Sequence, residues 1–117
     1  MITLVCNCRG IGGPRTVRQL GEYIRKHQPS IVFLMETKCG KRRFEYLKNK
    51  FDMFGICSLA SGRSGGLILL WRNDTVVQLR TYSKDYIDVE IYDPDVQNRW
   101  RFTGFYGHPD ANQRHQA

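Results

Sequence analysis

Residues 29–40, PSIVFLMETKCG, hold an unbroken apolar run from Ile31 to Met35 that ends in a carboxylate, Glu36, followed by Thr37 and Lys38. A run without polar alternation reads as a strand buried on both faces, as in a sheet covered by helices. A carboxylate at such a strand's exit stands where α/β sheets gather their chemistry. It would equally mark the point where the chain returns to water. The flanking segments have to decide between the two.

Upstream, ITLVCNC (residues 2–8) reads as an opening strand with the polar Asn7 near its exit. RGIGGPR (9–15) supplies glycines for a tight connection, and Pro14 suits the first turn of a helix. Val17, Leu20 and Ile24 then recur at helical spacing, with arginines facing outwards between them. Gln28-Pro29 closes that helix, because a residue before proline avoids helical geometry. A strand–helix–strand order implies that the two strands run parallel. Asn7 and Glu36 would then leave the sheet at the same end.

Downstream, a second helix is predicted over about residues 42–50, with Phe44 and Leu47 inward. After it come DMFGICS (52–58), GGLILLW (65–71), TVVQLRTY (75–82), DYIDVEIY (85–92) and RWRFTGFY (99–106), read as five successive strands. SGRSGG, RND, SKD and DPDVQN separate them with good turn chemistry. A helical crossover followed by a meander predicts mixed α/β layers.

The 117 residues suit a single domain with one modest core. Eighteen Lys and Arg against eleven Asp and Glu leave a net charge of +7, which favours polyanionic partners, nucleic acid before acidic membrane surfaces. The alternative is a basic but ordinary solvated surface. Cations cluster in two segments, Arg15, Arg18, Arg25 and Lys26 in the first, and Lys38, Lys41, Arg42, Arg43, Lys48 and Lys50 in the second. Cys6, Cys8, Cys39 and Cys57 contain no Cys-x-x-Cys pair, and Cys6 and Cys8 alternate onto one strand face. Reduced, packed thiols are expected rather than a zinc knuckle or disulfides. The apolar runs are too short to cross a bilayer, and the start of the chain has no secretory signal, so an intracellular protein, nuclear or cytoplasmic and not secreted, is expected.

Four motifs in order, LVCNCRGIG (4–12), PSIVFLMETK (29–38), SGRSGGLILLW (61–71) and WRFTGFYGHP (100–109), resemble the endonuclease/exonuclease/phosphatase superfamily. Within it they look most like the endonuclease domain of plant LINE-type (non-LTR) retrotransposons. The resemblance implies part of a four-layered α/β sandwich with mixed sheets and two covering helices. The domain would occupy residues 1–109, followed by a polar tail over 110–117. It implies a phosphodiesterase that cuts DNA by water attack assisted by Mg²⁺ or Mn²⁺. By motif match Asn7 falls on an active-site Asn, Glu36 on a metal-binding Glu and Tyr106 on an active-site Tyr, with Glu36 and Asn7 as the metal-side donors. Arg9 and Lys38 are candidate contacts to the DNA backbone. Cys6 stands where the wider superfamily commonly has Trp before the Asn, a change of packing rather than of chemistry.

Without the resemblance the same residues read more plainly. Glu36 would be a strand end meeting solvent, Asn7 a turn residue, Tyr106 a half-buried aromatic, and SGRSGG a hairpin connection rather than an anion cup. His108 reads as a loop histidine, because the family's catalytic His belongs to a Ser-Asp-His motif. That motif and the family's Gly-Asp-x-Asn motif both follow the tyrosine, and neither occurs in these residues. The expectation is an amino-terminal portion, inactive alone because groups that act as a unit do not substitute for one another, with a missing carboxy-terminal half as its partner. The absent half would carry most of the second sheet and leave the apolar faces of strands 66–71 and 99–106 uncovered. The alternatives are a non-catalytic basic nucleic-acid-binding module and a decaying retroelement fragment without an ordered fold.

Overall fold

Ile31–Met35 forms β2, and Ile31, Val32, Phe33 and Leu34 are each at most 1% exposed. β1 (Thr3–Asn7) lies parallel to it, with Thr3 opposite Ile31 and Asn7 opposite Met35. On the other side β4 (Leu67–Trp71) runs antiparallel, pairing Phe33 with Leu69, and β3 (Phe54–Ser58) completes the order β1-β2-β4-β3. The computed structural model describes residues 2–58, 65–94 and 97–106.

Two helices cover one face of this sheet. α1 (Pro14–His27) begins with Pro14 in its first turn and buries Val17 and Leu20. Gln28 ends it in the left-handed conformation (φ 50°), out of the right-handed helical region that Pro29 disfavours, and its N–H still donates to the Ile24 carbonyl at 2.8 Å. α2 (Lys41–Phe51) buries Phe44 and Leu47. One core sits between these helices and the sheet, where Ile11, Val17, Leu20, Leu34, Leu47 and Leu70 meet.

The opposite face packs on a second, antiparallel sheet of β5 (Val76–Tyr82), β6 (Tyr86–Asp93) and β7 (Asn98–Phe105). Ile87, Val89 and Ile91 of β6 point inward against Phe33, Leu67 and Leu69 to form a second core. Phe33 is its pivot, with the Phe102 ring edge-on at 5.7 Å. A Cβ on Gly104 would lie 2.6–2.7 Å from three Phe33 ring atoms, so glycine is what lets β7 close onto that ring. Each fully buried Leu, Ile or Phe side chain contributes about 1.5–3 kcal/mol relative to exposure.

The described residues thus build three of the sandwich's layers, helices over a mixed sheet over an antiparallel sheet. The first sheet is mixed, and the described strands of the second pair antiparallel. One expectation is corrected, because the apolar residues of β4 are not left uncovered. Leu67, Ile68, Leu69 and Leu70 are all 0% exposed, since three strands suffice to cover one face while the helices cover the other. On β7, Trp100 and Phe102 pack into the second core and only Phe105 stays well exposed. The 110–117 tail and His108 lie outside the described residues.

Candidate functional site

Because β1 and β2 are parallel neighbours in register, both chains leave the sheet together. The ladder continues past the strands as Cys8 N–H to Met35 C=O at 2.9 Å, Gly10 N–H to Glu36 C=O at 2.6 Å and Ile11 N–H to Thr37 C=O at 2.9 Å. On the other side of the Glu36 segment, Thr37 and Lys38 N–H donate to the Gly66 and Gly65 carbonyls at 3.1 and 3.0 Å. Both glycines have positive φ (82° and 98°), a conformation a side chain would resist. They are the last two residues of SGRSGG, which lies between the antiparallel neighbours β3 and β4 in the chain. Its residues 61–64 lie outside the described set.

The backbone turns sharply here. Arg9, Glu36 and Lys38 all have φ near +50°, an uncommon conformation for residues with a Cβ. Such strain, held in place by bonds to neighbouring segments on both sides, is a feature of functional sites as well as of turns.

Alternation along β1 places Leu4 and Cys6 against the helix-side core, so Asn7 shares the sheet-to-sheet side with Val5. Its side chain is exposed at the sheet's end. Tyr106 arrives at the same end from the second sheet. Its N–H donates to the Asp85 carbonyl at 2.7 Å, and its ring packs on the second core. Burial, then the charge and hydrogen bonding of Glu36, then the Asp85 charge push the Tyr106 phenol above its usual value. It is therefore a neutral donor at physiological pH.

Glu36 thus acts on the Tyr106 phenol, and Asn7 is brought to the same strand end by register. Arg9 and Lys38 flank that end as exposed loop residues. Asp85, whose charge acts on Tyr106, was not among the sequence candidates. It reads as one turn residue in SKD. Only the β6–β7 register, with Tyr86 opposite Phe105, puts it beside Tyr106.

The donors near Glu36 are oxygen atoms, a carboxylate, an amide and a phenol, and the thiols lie on the sheet's other side. All four cysteines are free, and the Cys6 and Cys8 sulfurs are 3.8 Å apart on the helix side. A hydrogen bond from Cys8 lowers the Cys6 thiol to about 7 and outweighs its burial. Among the described residues no three His, Cys, Asp or Glu side chains cluster to enclose a metal ion. A single carboxylate with a neighbouring amide still fits a hard cation such as Mg²⁺, which commonly takes one or two carboxylates and fills its shell with water and phosphate.

Two packed sheets with helices over one of them define an α/β sandwich, and an acid, a phenol and an amide at one strand end make a candidate site. The chain belongs to the Endonuclease/Exonuclease/phosphatase family, whose profile it matches over residues 4–116. Among solved structures it is similar to the human Nocturnin catalytic domain with bound sulfate anion, at 12% sequence identity and a TM-score of 0.62. The match covers 86% of this chain and 47% of that one, so the chain spans about half of the Nocturnin domain, and the likeness is one of fold. No curated protein sequence matches it. Members of the family generally depend on a divalent metal. No helix among the described residues is long and apolar enough to cross a membrane.

Proposed function

We propose that this chain is the amino-terminal part of a metal-dependent endonuclease domain of retroelement type that cuts DNA, and that it is inactive without the remainder of that domain. The observation that carries the reading is the parallel register of β1 and β2, which brings Asn7 and Glu36 out at one strand end, where Glu36 also acts on Tyr106 of the second sheet. Glu36, with the Asn7 amide, would hold Mg²⁺ or Mn²⁺, which when bound supplies Lewis-acid polarisation of a phosphoryl oxygen. Tyr106, whose proton is held more tightly beside Glu36, would stand as a neutral hydrogen-bond donor next to that carboxylate. Arg9 and Lys38 offer charge to the phosphate backbone on either side.

Two functions of such a site have no assigned residue, placing the attacking water and protonating the leaving oxygen. The Gly-Asp-x-Asn and Ser-Asp-His motifs would provide them, and a segment carrying both is the proposed partner. Among the described residues β1 and β7 each have an edge without a neighbouring strand, where further strands would add. Exposed Val5 (40%) and Phe105 (41%) lie on those strands, and exposed Ile2 (48%) just before β1.

A plasmid-nicking assay in Mg²⁺ tests the proposal. The purified chain is expected to give no turnover, and turnover is expected when it is joined to a segment carrying both motifs, then lost again on Glu36→Gln. Sustained nicking by the 117-residue chain alone would refute the claim that it is incomplete. A second reading, a non-catalytic nucleic-acid-binding module, is favoured by the +7 charge and by the placement of basic residues on the helices.

A further inference from the structure

Away from the Glu36 site, a groove of about 1010 Å³ lies along the helical layer, between α1 and α2. It runs from Pro14 and Arg43 at the helix starts to Pro29 and Asn73 beyond the end of α1. A 14-residue helix makes that run roughly 21 Å long. Gly21 of α1 packs against Phe51 of α2, and a Cβ there would lie 3.2 Å from the Phe51 ring.

Five cations line it, Arg18, Arg25, Arg43, Lys50 and Arg72, against two carboxylates, Glu22 and Asp52. Arg72 is held by Asp74 at 2.8 Å, and Arg43 by the Gly12 carbonyl at 2.6 Å. Arg18, Arg25 and Lys50 are exposed and join no ion pair among the described residues. Helix stability does not account for the whole set. Neither helix has an acid in its first turn, and α2 opens with Lys41, Arg42 and Arg43, where the helix dipole disfavours positive charge.

Below the cations the lining turns apolar and aromatic, with Ile24, Phe51 and Met53. Tyr46 is 45% exposed and lines the groove, with the Arg43 guanidinium 5.1 Å from its ring centre. Cations along a cleft that also offers rings and apolar surface match a strand with phosphates outside and unpaired base faces inside. A duplex hides its base faces and would use only the rim. A membrane is a flat anionic surface, and the apolar residues here are recessed rather than projecting.

We infer that the α1–α2 groove binds single-stranded nucleic acid, at a surface separate from the Glu36 site. The inference rests on the nucleic-acid reading above and names the strand state and the surface. It makes no use of the metal donors.

The test is anisotropy of the full chain with a labelled oligothymidine, the matching duplex, and vesicles containing phosphatidylserine, across a range of salt. The single strand is expected to bind at least several-fold more tightly than the duplex. In Arg18→Gln/Arg25→Gln/Lys50→Gln the salt dependence should flatten, its log–log slope falling by about 2 for three lost phosphate contacts at ~0.7 each. Affinity for the single strand should drop by about tenfold or more at moderate salt. Far-UV circular dichroism checks the fold. If the triple variant unfolds, the exposed Arg25→Gln alone should still weaken binding and flatten the slope by about 0.7.

The triple groove variant should keep Mn²⁺ binding measured by electron paramagnetic resonance, and Glu36→Gln should lose it, so each reading can fail without the other. Equal or tighter duplex binding, preference for the vesicles, or a folded groove variant with unchanged affinity would overturn the inference.

Discussion

The two sheets bury their strands in different ways, and the difference tells where each can carry chemistry. In the four-stranded sheet, β2 and β4 are covered on both faces, by helices on one side and strands on the other. No polar side chain fits along their length, so only their ends are open to function, and Glu36 is the residue at the first such end. The three-stranded sheet is covered on one face. Its outer face carries Asp88, Glu90, Arg99 and Arg101, which pair across strands. Its polar residues therefore serve the sheet itself, and it reaches the site through the residue after β7, Tyr106.

The largest effect that would break this contrast comes from the ring that joins the sheets. Phe33→Ala should cost about 4 kcal/mol, because it empties the centre of the inter-sheet core. The midpoint of a urea unfolding curve measures it. A loss well under 1 kcal/mol would mean the sheets are not held together through Phe33.

Gly104→Ala probes the same joint from the opposite sheet. The new methyl would meet the Phe33 ring well inside contact distance, with an expected cost of about 1–3 kcal/mol by overpacking. If the pair is coupled as drawn, Phe33→Leu should relieve part of that cost in the double mutant, a non-additivity read from four unfolding curves.

On the outer face the effects are smaller and depend on pH. Arg101 donates to both Asp88 oxygens, at 2.9 and 2.6 Å, and Thr103 donates at 3.0 Å. The Arg101 hydrogen bonds, opposed by burial and aided by Thr103 and by the Arg101 and Arg80 charges, hold the Asp88 carboxyl below its ordinary 3.8. A carboxyl lowered on folding adds stability that is present above its unfolded value and is lost as pH falls through the folded one. Asp88→Asn should thus be less stable than the parent at about pH 7 and nearly equal to it at about pH 2, checked by paired denaturation curves. A gap that persists in acid would assign the effect to packing.

The smallest effect is spectroscopic and lies at the site. Glu36→Gln removes a charge and an anionic hydrogen-bond acceptor from Tyr106, so the phenol should titrate at lower pH, though burial and Asp85 keep it above the ordinary 10.0. Ultraviolet absorbance against pH, compared with Tyr106→Phe to identify the signal, follows the change. An unmoved titration would separate Tyr106 from Glu36 and remove Tyr106 from the proposed site.

Much of the fold was legible because its signals are local. The apolar run 31–35 became β2 with those bounds, and Val17 and Leu20 proved the buried side of α1, since periodicity reports which side of an element is covered. The prediction that β4 would lie bare failed for a related reason. A run such as LILLW announces burial but cannot say what provides it, and here β6 does, from a sequence separation of about twenty residues.

By itself the sequence determined the order of elements, the two-sided burial of β2, the strand-end positions of Asn7 and Glu36, and the basic balance of the chain. Tertiary structure alone decided that Tyr106 reaches Glu36, that Asp85 stands beside it, and that separated cations of α1, α2 and the segment after β4 line one groove. Patterns of burial repeat every two or three to four residues and can be read along the chain. Contacts between sheets depend on register and on how layers stack, and neither is written in any one segment.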